Sequence, residues 1–234
     1  MSKTVLQSGR GKVLSIPLLS GGIDSAVSTL IVKQKYGRVQ PIFIDWSCER
    51  SGRVSHTSHI NELRAARRIA SLLCIEEPYV IKVPFTWYAE EKRLNDSAFP
   101  YARNLVFLAL AASYAATEHG GNCNVLVAGF NQSDQGGADT SKAFVDGIEN
   151  LLRVCIEGNS RLERVRIDTP LIDMTKAEII AYAYRNGAQT LLESSWSCYG
   201  RAKVQCGKCA NCIARKEAFA TAGFNDPTIY ATDS

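Results

Sequence analysis

Two clusters of chemically capable residues stand out in the 234-residue chain. Near its end, Cys198, Cys206, Cys209 and Cys212 follow the spacing C-x7-C-x2-C-x2-C. Four thiolates at such short intervals match a tetrahedral zinc ion, with an iron–sulfur cluster as the chemical rival, and Gly207 permits the tight turn between Cys206 and Cys209. With every ligand a thiolate, no position stays open for water. The expected site is therefore structural, tying the tail to the domain and contributing folding free energy. Near the start, Ser20-Gly21-Gly22-Ile23-Asp24-Ser25 joins an apolar run to a segment of helical length. Two glycines let backbone approach a ligand closely, and the helix beginning there offers unpaired N–H groups and a positive dipole end to an anion. Ser20 and Ser25 add hydroxyl donors, while Asp24 is placed to hold the loop or orient a metal ion. The same residues would also serve as a tight turn with an Asp or Ser cap.

Other candidates are single residues at segment ends. Asp45 closes an apolar run, at an end where it could reach a ligand or cap a turn. Lys176 opens a helix whose Thr175-Lys176-Ala177-Glu178 start has capping-box spacing, and its charge could neutralise an anion but sits poorly with the helix dipole. Arg103 and Asn104 precede an apolar helix and could clamp a carboxylate or phosphate; the plainer alternative is a cap with a surface arginine. His56 and His59 with Cys48 could suggest a second metal site, but their spacing is loose and no fourth ligand is evident, so a polar loop is the expectation.

The elements that position these residues follow from periodicity. Val13 to Leu19, Val39 to Ile44, Tyr79 to Val83, Val125 to Ala128 and Val165 to Ile167 are short apolar runs that predict strands. Helices are expected over Ser25 to Lys35, Ile60 to Leu73, Leu105 to Thr117 and Lys142 to Cys155, then from Thr175, and from about Ile213 to Ala222 before Gly223 and Pro227. Leu63, Ala66, Ile69, Ala70 and Leu73 form one apolar stripe. Alternation of strand and helix implies a doubly wound parallel α/β sheet. Pro17 lies inside what should be a central strand, so a bulge or an early strand end is needed there. Longer irregular segments run from Trp46 to His59 and from Pro84 to Ala102.

Composition bounds the rest. Lys plus Arg total 27 against 23 Asp plus Glu, a net +4, and 46% of residues are hydrophobic. A surplus this mild, without a basic stripe, argues against a nucleic-acid partner, and Arg64, Arg67 and Arg68 suit an ordinary solvated helix face. No apolar run reaches the roughly 18 residues of a membrane span and no signal segment opens the chain, so a cytoplasmic location is expected.

There is no G-x-x-x-x-G-K-[ST] and no G-x-G-x-x-G. The loop Ser20 to Ser25 instead resembles the S-G-G-x-D-S signature of the PP-loop ATP pyrophosphatases, with an adenine nucleotide alpha hydrolase-like fold. Taken with the cysteine tail, the chain resembles the 7-cyano-7-deazaguanine synthase (QueC) family. The resemblance includes Asp45, Arg103-Asn104 with Phe107-Leu108, Gly129 with Asn131 and Asp134, Asp139, Thr169 to Asp173 with Thr175 to Glu178, Trp196 to Tyr199, and Cys206 to Cys209. The tail Arg215 to Phe219 with Ala222-Gly223 and Asp226-Pro227 also fits. It implies a PP-loop domain over 1–192, a zinc-binding segment with a terminal helix over 193–234, and a homodimer. It further implies that ATP, Mg²⁺ and Zn²⁺ are bound and that 7-carboxy-7-deazaguanine and ammonia become 7-cyano-7-deazaguanine through acyl-adenylate and amide intermediates. Asp24 and Lys176 are then the catalytic candidates; Ser20, Gly21, Gly22, Asp24, Ser25 and Asp45 the nucleotide contacts; Arg103, Asn104, Asp134 and Asp139 the substrate contacts. With Met1-Ser2 at the start, an N-terminal cysteine glutaminase is not expected, and free ammonia is the simplest donor.

The chain departs from the family pattern in three places. Asp45-Trp46-Ser47-Cys48 replaces Asp-Tyr-Gly-Gln, Phe99-Pro100-Tyr101-Ala102 replaces a Val-Pro-Gly approach to Arg103, and Thr140 replaces a cysteine. These changes keep open a relative that stops at the amide or uses another amine. A tRNA-modifying PP-loop enzyme would need a catalytic cysteine pair outside the metal cluster, and a non-catalytic zinc-stabilised binding module would leave Ser20 to Ser25 without a purpose.

Overall fold

The computed structural model describes residues 13–46, 49–50, 53–54, 59–83, 102–119, 123–156, 166–199 and 203–231. The expected segment 84–102, apart from Ala102, and the residues Cys48 and His56 lie outside them. Six of the described strands run parallel: β1 (Leu14–Pro17), β2 (Arg38–Val39), β3 (Ile42–Asp45), β6 (Tyr79–Lys82), β7 (Cys123–Val127) and, at the far edge, β8 (Arg166–Asp168). A small antiparallel pair, β4 (Glu49–Arg50) and β5 (Arg53–Val54), follows β3.

The run read as one strand over Val39 to Ile44 is two. β2 pairs with β1, β3 pairs with β6, and Pro41, which has no N–H, separates them. The backbone bonds Gln40 N–H to Ser15 O (3.0 Å) and Leu19 N–H to Ile42 O (2.8 Å) carry the pairing across the break, so one parallel surface runs β6, β2/β3, β1, β7, β8. Pro17 is accommodated at that break. Ser15 and Leu19 turn their backbone groups toward β2 and β3 while Leu18 N–H reaches Val127 O (3.0 Å), so the missing donor of Pro17 faces Gln40-Pro41. Strand β1 ends at Pro17, and the register irregularity lies earlier, between Leu14 and Ser15.

Alternation along the strands divides the core. Leu14, Ile16, Ile42, Ile44, Leu126 and Ile167 face α3 (Arg103–Glu118) and α4 (Lys142–Ile156). Phe43 and Leu19 face the other layer, built from α1 (Ile23–Tyr36), α2 (His59–Leu72), α5 (Lys176–Arg185), α6 (Gln189–Ser194) and α7 (Ala210–Ala222). Of the apolar stripe along α2, Ala66, Ile69, Ala70 and the following Leu73 are buried and Leu63 is half-buried, while Arg64, Arg67 and Arg68 are exposed. Helix α7 begins three residues before the expected Ile213, because Cys209 takes the N-cap position and its carbonyl accepts from Ile213 N–H (3.0 Å). Its Ala218 and Phe219 pack in the same cluster as Ile179, Ile180 and Ala183 of α5. Among the described residues no helix is long and apolar enough to cross a membrane.

Candidate active site

The strand order reverses between β1 and β7, and a crevice opens at the carboxyl ends there, where doubly wound sheets receive ligands. The loop from β1 to α1 fills its floor. Gly21 adopts φ +86°, and a Cβ on it would lie 2.3 Å from the Glu62 carbonyl oxygen of α2, so only glycine fits. Gly129, just past β7, is similarly confined: its Cβ would come within 3.2 Å of the backbone at Asp24 and Ser25. Gly22 is the N-cap of α1, and no side chain caps it. The Ser25 hydroxyl donates to Gly22 O (3.1 Å) and the Ser20 hydroxyl to Ser25 Oγ (3.1 Å). The capped-turn alternative is therefore not what forms: the first turn of α1 keeps its N–H groups toward the cavity.

Asp24 instead turns to α5. Its Oδ2 lies 3.1 Å from Lys176 Nζ, and its buried Oδ1 has no hydrogen-bond partner. Lys176 is held by a complete capping box, with Thr175 Oγ1 accepting from Glu178 N–H (3.2 Å) and Glu178 Oε2 from Thr175 N–H (2.8 Å). Burial disfavours the ammonium charge, but the charge and hydrogen bond of Asp24, with Asp134 and Tyr199 behind it, raise the Lys176 pKa above its ordinary value. Asp134 completes the group. Burial and the Asp24 charge push its carboxyl up against the pull of the Asn131 N–H, Lys176 and Arg103.

A cavity of about 360 Å³ extends from this floor, within the range of small-molecule sites. Arg103, at the start of α3, stands on its wall with its guanidinium 5.5 Å from the Trp46 ring centre and 5.6 Å from that of Phe107, a cation–π arrangement. Asn104 also lines the cavity, and its backbone N–H donates to Asp139 Oδ2 (2.9 Å) while its side-chain amide donates to Asp139 O (3.2 Å). Asp139 thus anchors the start of α3 from a neighbouring loop, where Ala102 takes the left-handed φ of 54°. Asp134 sits similarly behind the wall, its Oδ2 accepting from Asn131 N–H (3.0 Å) in the capping box of the short 3₁₀ turn Gln132–Gly136. Asp45 ends β3 with Oδ1 3.2 Å from His59 Nδ1, and His59 packs edge-on against Phe43 and Trp46. Of the sequence candidates, Ser20, Gly22, Asp24, Ser25, Lys176, Arg103 and Asn104 line the cavity, whereas Gly21, Asp45, Asp134 and Asp139 stand behind it.

The four tail cysteines also converge, with all Sγ atoms within 4.8 Å of one another and Cys206 Sγ 4.0 Å from Cys212 Sγ. Metal–sulfur bonds of about 2.3 Å give a tetrahedral edge near 3.8 Å, so the cluster fits a metal ion. Cys206 N–H donates to Cys198 Sγ and Cys209 N–H to Cys206 Sγ, both at 3.3 Å. The N–H groups of Lys208 and Cys209 lower the Cys206 thiol to about 6, whereas burial pushes Cys212 up. A cation is what would allow both to be thiolates together.

Contacts of the tail with the loop are less legible in sequence. Trp196 N–H donates to Gly21 O (2.9 Å) and its indole N–H to Cys198 O (2.7 Å). Arg215, 1% exposed, donates to Asp226 Oδ1, Ser195 Oγ, Ser197 Oγ and Leu192 O. Trp196, Tyr199 and Arg215 all line the cavity; the only sequence signal for them is that they fall in segments shared with the resembling family.

A doubly wound sheet with this glycine loop at its switch point defines a PP-loop α/β protein. The family model "Queuosine biosynthesis protein QueC" matches residues 14–223, and the chain belongs to that family. It is 32% identical to "7-cyano-7-deazaguanine synthase 1" of Sphingopyxis alaskensis, over 92% of this chain and 97% of that one. It is 33% identical to "7-cyano-7-deazaguanine synthase" of Novosphingobium aromaticivorans, over 93% and 94% of the two chains. Among solved structures, NMN synthetase from Francisella tularensis shares 16% identity at a TM-score of 0.48, over 96% of this chain and 90% of that one.

Proposed function

We propose that this protein is an ATP-dependent ligase that converts 7-carboxy-7-deazaguanine and ammonia to 7-cyano-7-deazaguanine. The observation that carries the proposal is the convergence, on one cavity, of an uncapped glycine loop, the Asp24–Lys176 pair and Arg103, in a chain of the QueC family. The loop N–H groups and the Ser20 and Ser25 hydroxyls hold the pyrophosphate of ATP. A substrate carboxylate oxygen, steered by Arg103, attacks the α-phosphorus as the bond to the bridging oxygen of pyrophosphate breaks. Lys176 stabilises the charge that gathers on the departing group. Ammonia then attacks the acyl carbon, AMP leaves, a proton is lost, and the primary amide forms. The amide oxygen attacks a second ATP in the same way; loss of AMP and of the nitrogen-bound protons leaves the nitrile.

Mg²⁺ would be held by Asp24, whose Oδ1 is buried without a hydrogen-bond partner, and would neutralise phosphate charge. Zn²⁺ would be held by Cys198, Cys206, Cys209 and Cys212 and would supply folding free energy. Asp139 and Asp134 support the wall from behind, the first by anchoring Asn104. One observation favours a second reading. Trp46, where the family usually has Tyr, lines the cavity beside Arg103, and a reshaped acceptor pocket suits a relative that stops at the amide or takes another amine. Exchange of labelled pyrophosphate into ATP tests the first step: the proposal requires exchange that depends on the deazaguanine acid, and none with the acid present would refute it.

A further inference from the structure

The segment Ser195 to Cys198 lies between the metal-type cluster and the glycine loop, and its backbone is clamped on both sides of Trp196. The side-chain amide of Gln205, which is 5% exposed, donates to Ser195 O (3.3 Å) and accepts from Ser197 N–H (3.0 Å). Gln205 imitates a neighbouring strand at this one point. Its own backbone is fixed by Ala231 N–H, which donates to Gln205 O (2.8 Å). On the side chains, Arg215 Nη1 donates to Ser195 Oγ (2.7 Å) and to Ser197 Oγ (3.3 Å), while Nη2 donates to Leu192 O (2.8 Å). The residues before and after Trp196 are therefore both fixed, which aims its N–H at the Gly21 carbonyl (2.9 Å).

That bond fixes the loop's orientation. In a trans peptide the C=O of one residue and the N–H of the next point in opposite directions. Holding the Gly21 carbonyl against the tail turns the Gly22 N–H the other way. Gly21 has no side chain to hold its own backbone, and a glycine at φ +86° has broad intrinsic conformational freedom. A restraint from outside the loop matters most at such a position.

We infer that Gln205 and Arg215 are positioning residues for the nucleotide site, acting through the clamped segment Ser195 to Ser197 and the Trp196–Gly21 hydrogen bond to hold the glycine loop ready for pyrophosphate. The inference rests on the proposed reading of that loop. It gives the tail a role beyond stabilising the fold: the loop is set by a distant part of the chain.

Calorimetric binding of inorganic pyrophosphate and of ATP with Mg²⁺, to the full chain and to Gln205→Leu, tests it. The wild type binds both, and the variant, less stable for its two stranded backbone groups but folded at the assay temperature, keeps its metal content and its KM for the acid substrate. Its Kd for pyrophosphate and its KM for ATP rise by about tenfold, the loss of one hydrogen bond of ordinary net strength. If the wild type binds neither ligand, the nucleotide reading fails and the inference with it. If the wild type binds and the folded variant binds equally well, the inference alone fails. Should Gln205→Leu not fold, amide hydrogen exchange of the wild type decides: pyrophosphate must slow exchange at Trp196, and an unchanged rate overturns the coupling.

Discussion

At the scale of single residues, the site turns on which partner Asp24 chooses. A carboxylate in the first turn of a helix ordinarily helps that helix, yet Asp24 pairs with Lys176 and leaves Oδ1 without a partner in a buried place. Asp24→Asn is isosteric and keeps a weaker hydrogen bond, so the fold should survive while AMP release falls by about a hundredfold or more, the scale of losing a preorganised electrostatic group. A variant with undiminished AMP release would remove Asp24 from the machinery. Residue chemistry near the loop was largely readable in sequence, because the whole S-G-G-x-D-S pattern is local. What was not readable is which neighbours each candidate meets: Asp139 and Asp134 stand behind the cavity wall as anchors, and nothing in their spacing says so.

At the scale of elements, two fastenings set the geometry. The Thr175–Glu178 capping box fixes the start of α5 and hence Lys176; Thr175→Ala should cost about 1 kcal/mol in denaturant unfolding. The second is Arg215 with Asp226, which binds α7 to the segment beyond it (3.1 Å). Burial opposes ionisation of Asp226, but the Tyr230 hydroxyl, the Arg215 charge and Thr228 outweigh it and hold the carboxyl below its ordinary value of 3.8. A carboxyl with a depressed folded pKa stabilises fully above its unfolded value and loses that contribution as pH falls through the folded one. Asp226→Asn should therefore be less stable than the wild type by about 3 kcal/mol at neutral pH, as when one partner of a buried pair is removed. The gap should narrow as pH drops below about 4; a gap independent of pH would contradict the assignment. The capping box was legible because it spans four residues. The role of Arg215 was not, because its partners, Leu192 to Ser197 on one side and Asp226 on the other, come from two separate stretches of chain.

At the scale of the whole molecule, the alternation of strands and helices announced the layered sheet correctly, and the switch point of that sheet locates the site. Pro17 and Pro41 are the instructive pair. Each by itself argues against a central strand, and only in the fold does it emerge that they meet at one break, so a single interruption of the ladder serves both. The tail is integrated in the same non-local way. Cys206→Ser should lose bound metal and lower the unfolding midpoint, read by metal analysis alongside thermal denaturation; a folded variant retaining its full metal content would exclude a structural metal at these cysteines. Together, as proposed, these parts make a nitrile from a carboxylate. The most direct test is mass spectrometry of the products after incubation with ATP, Mg²⁺, ¹⁵N-ammonium and 7-carboxy-7-deazaguanine. The account predicts AMP, pyrophosphate and a nitrile carrying the labelled nitrogen; an amide that never proceeds to nitrile, or no AMP at all, would contradict it.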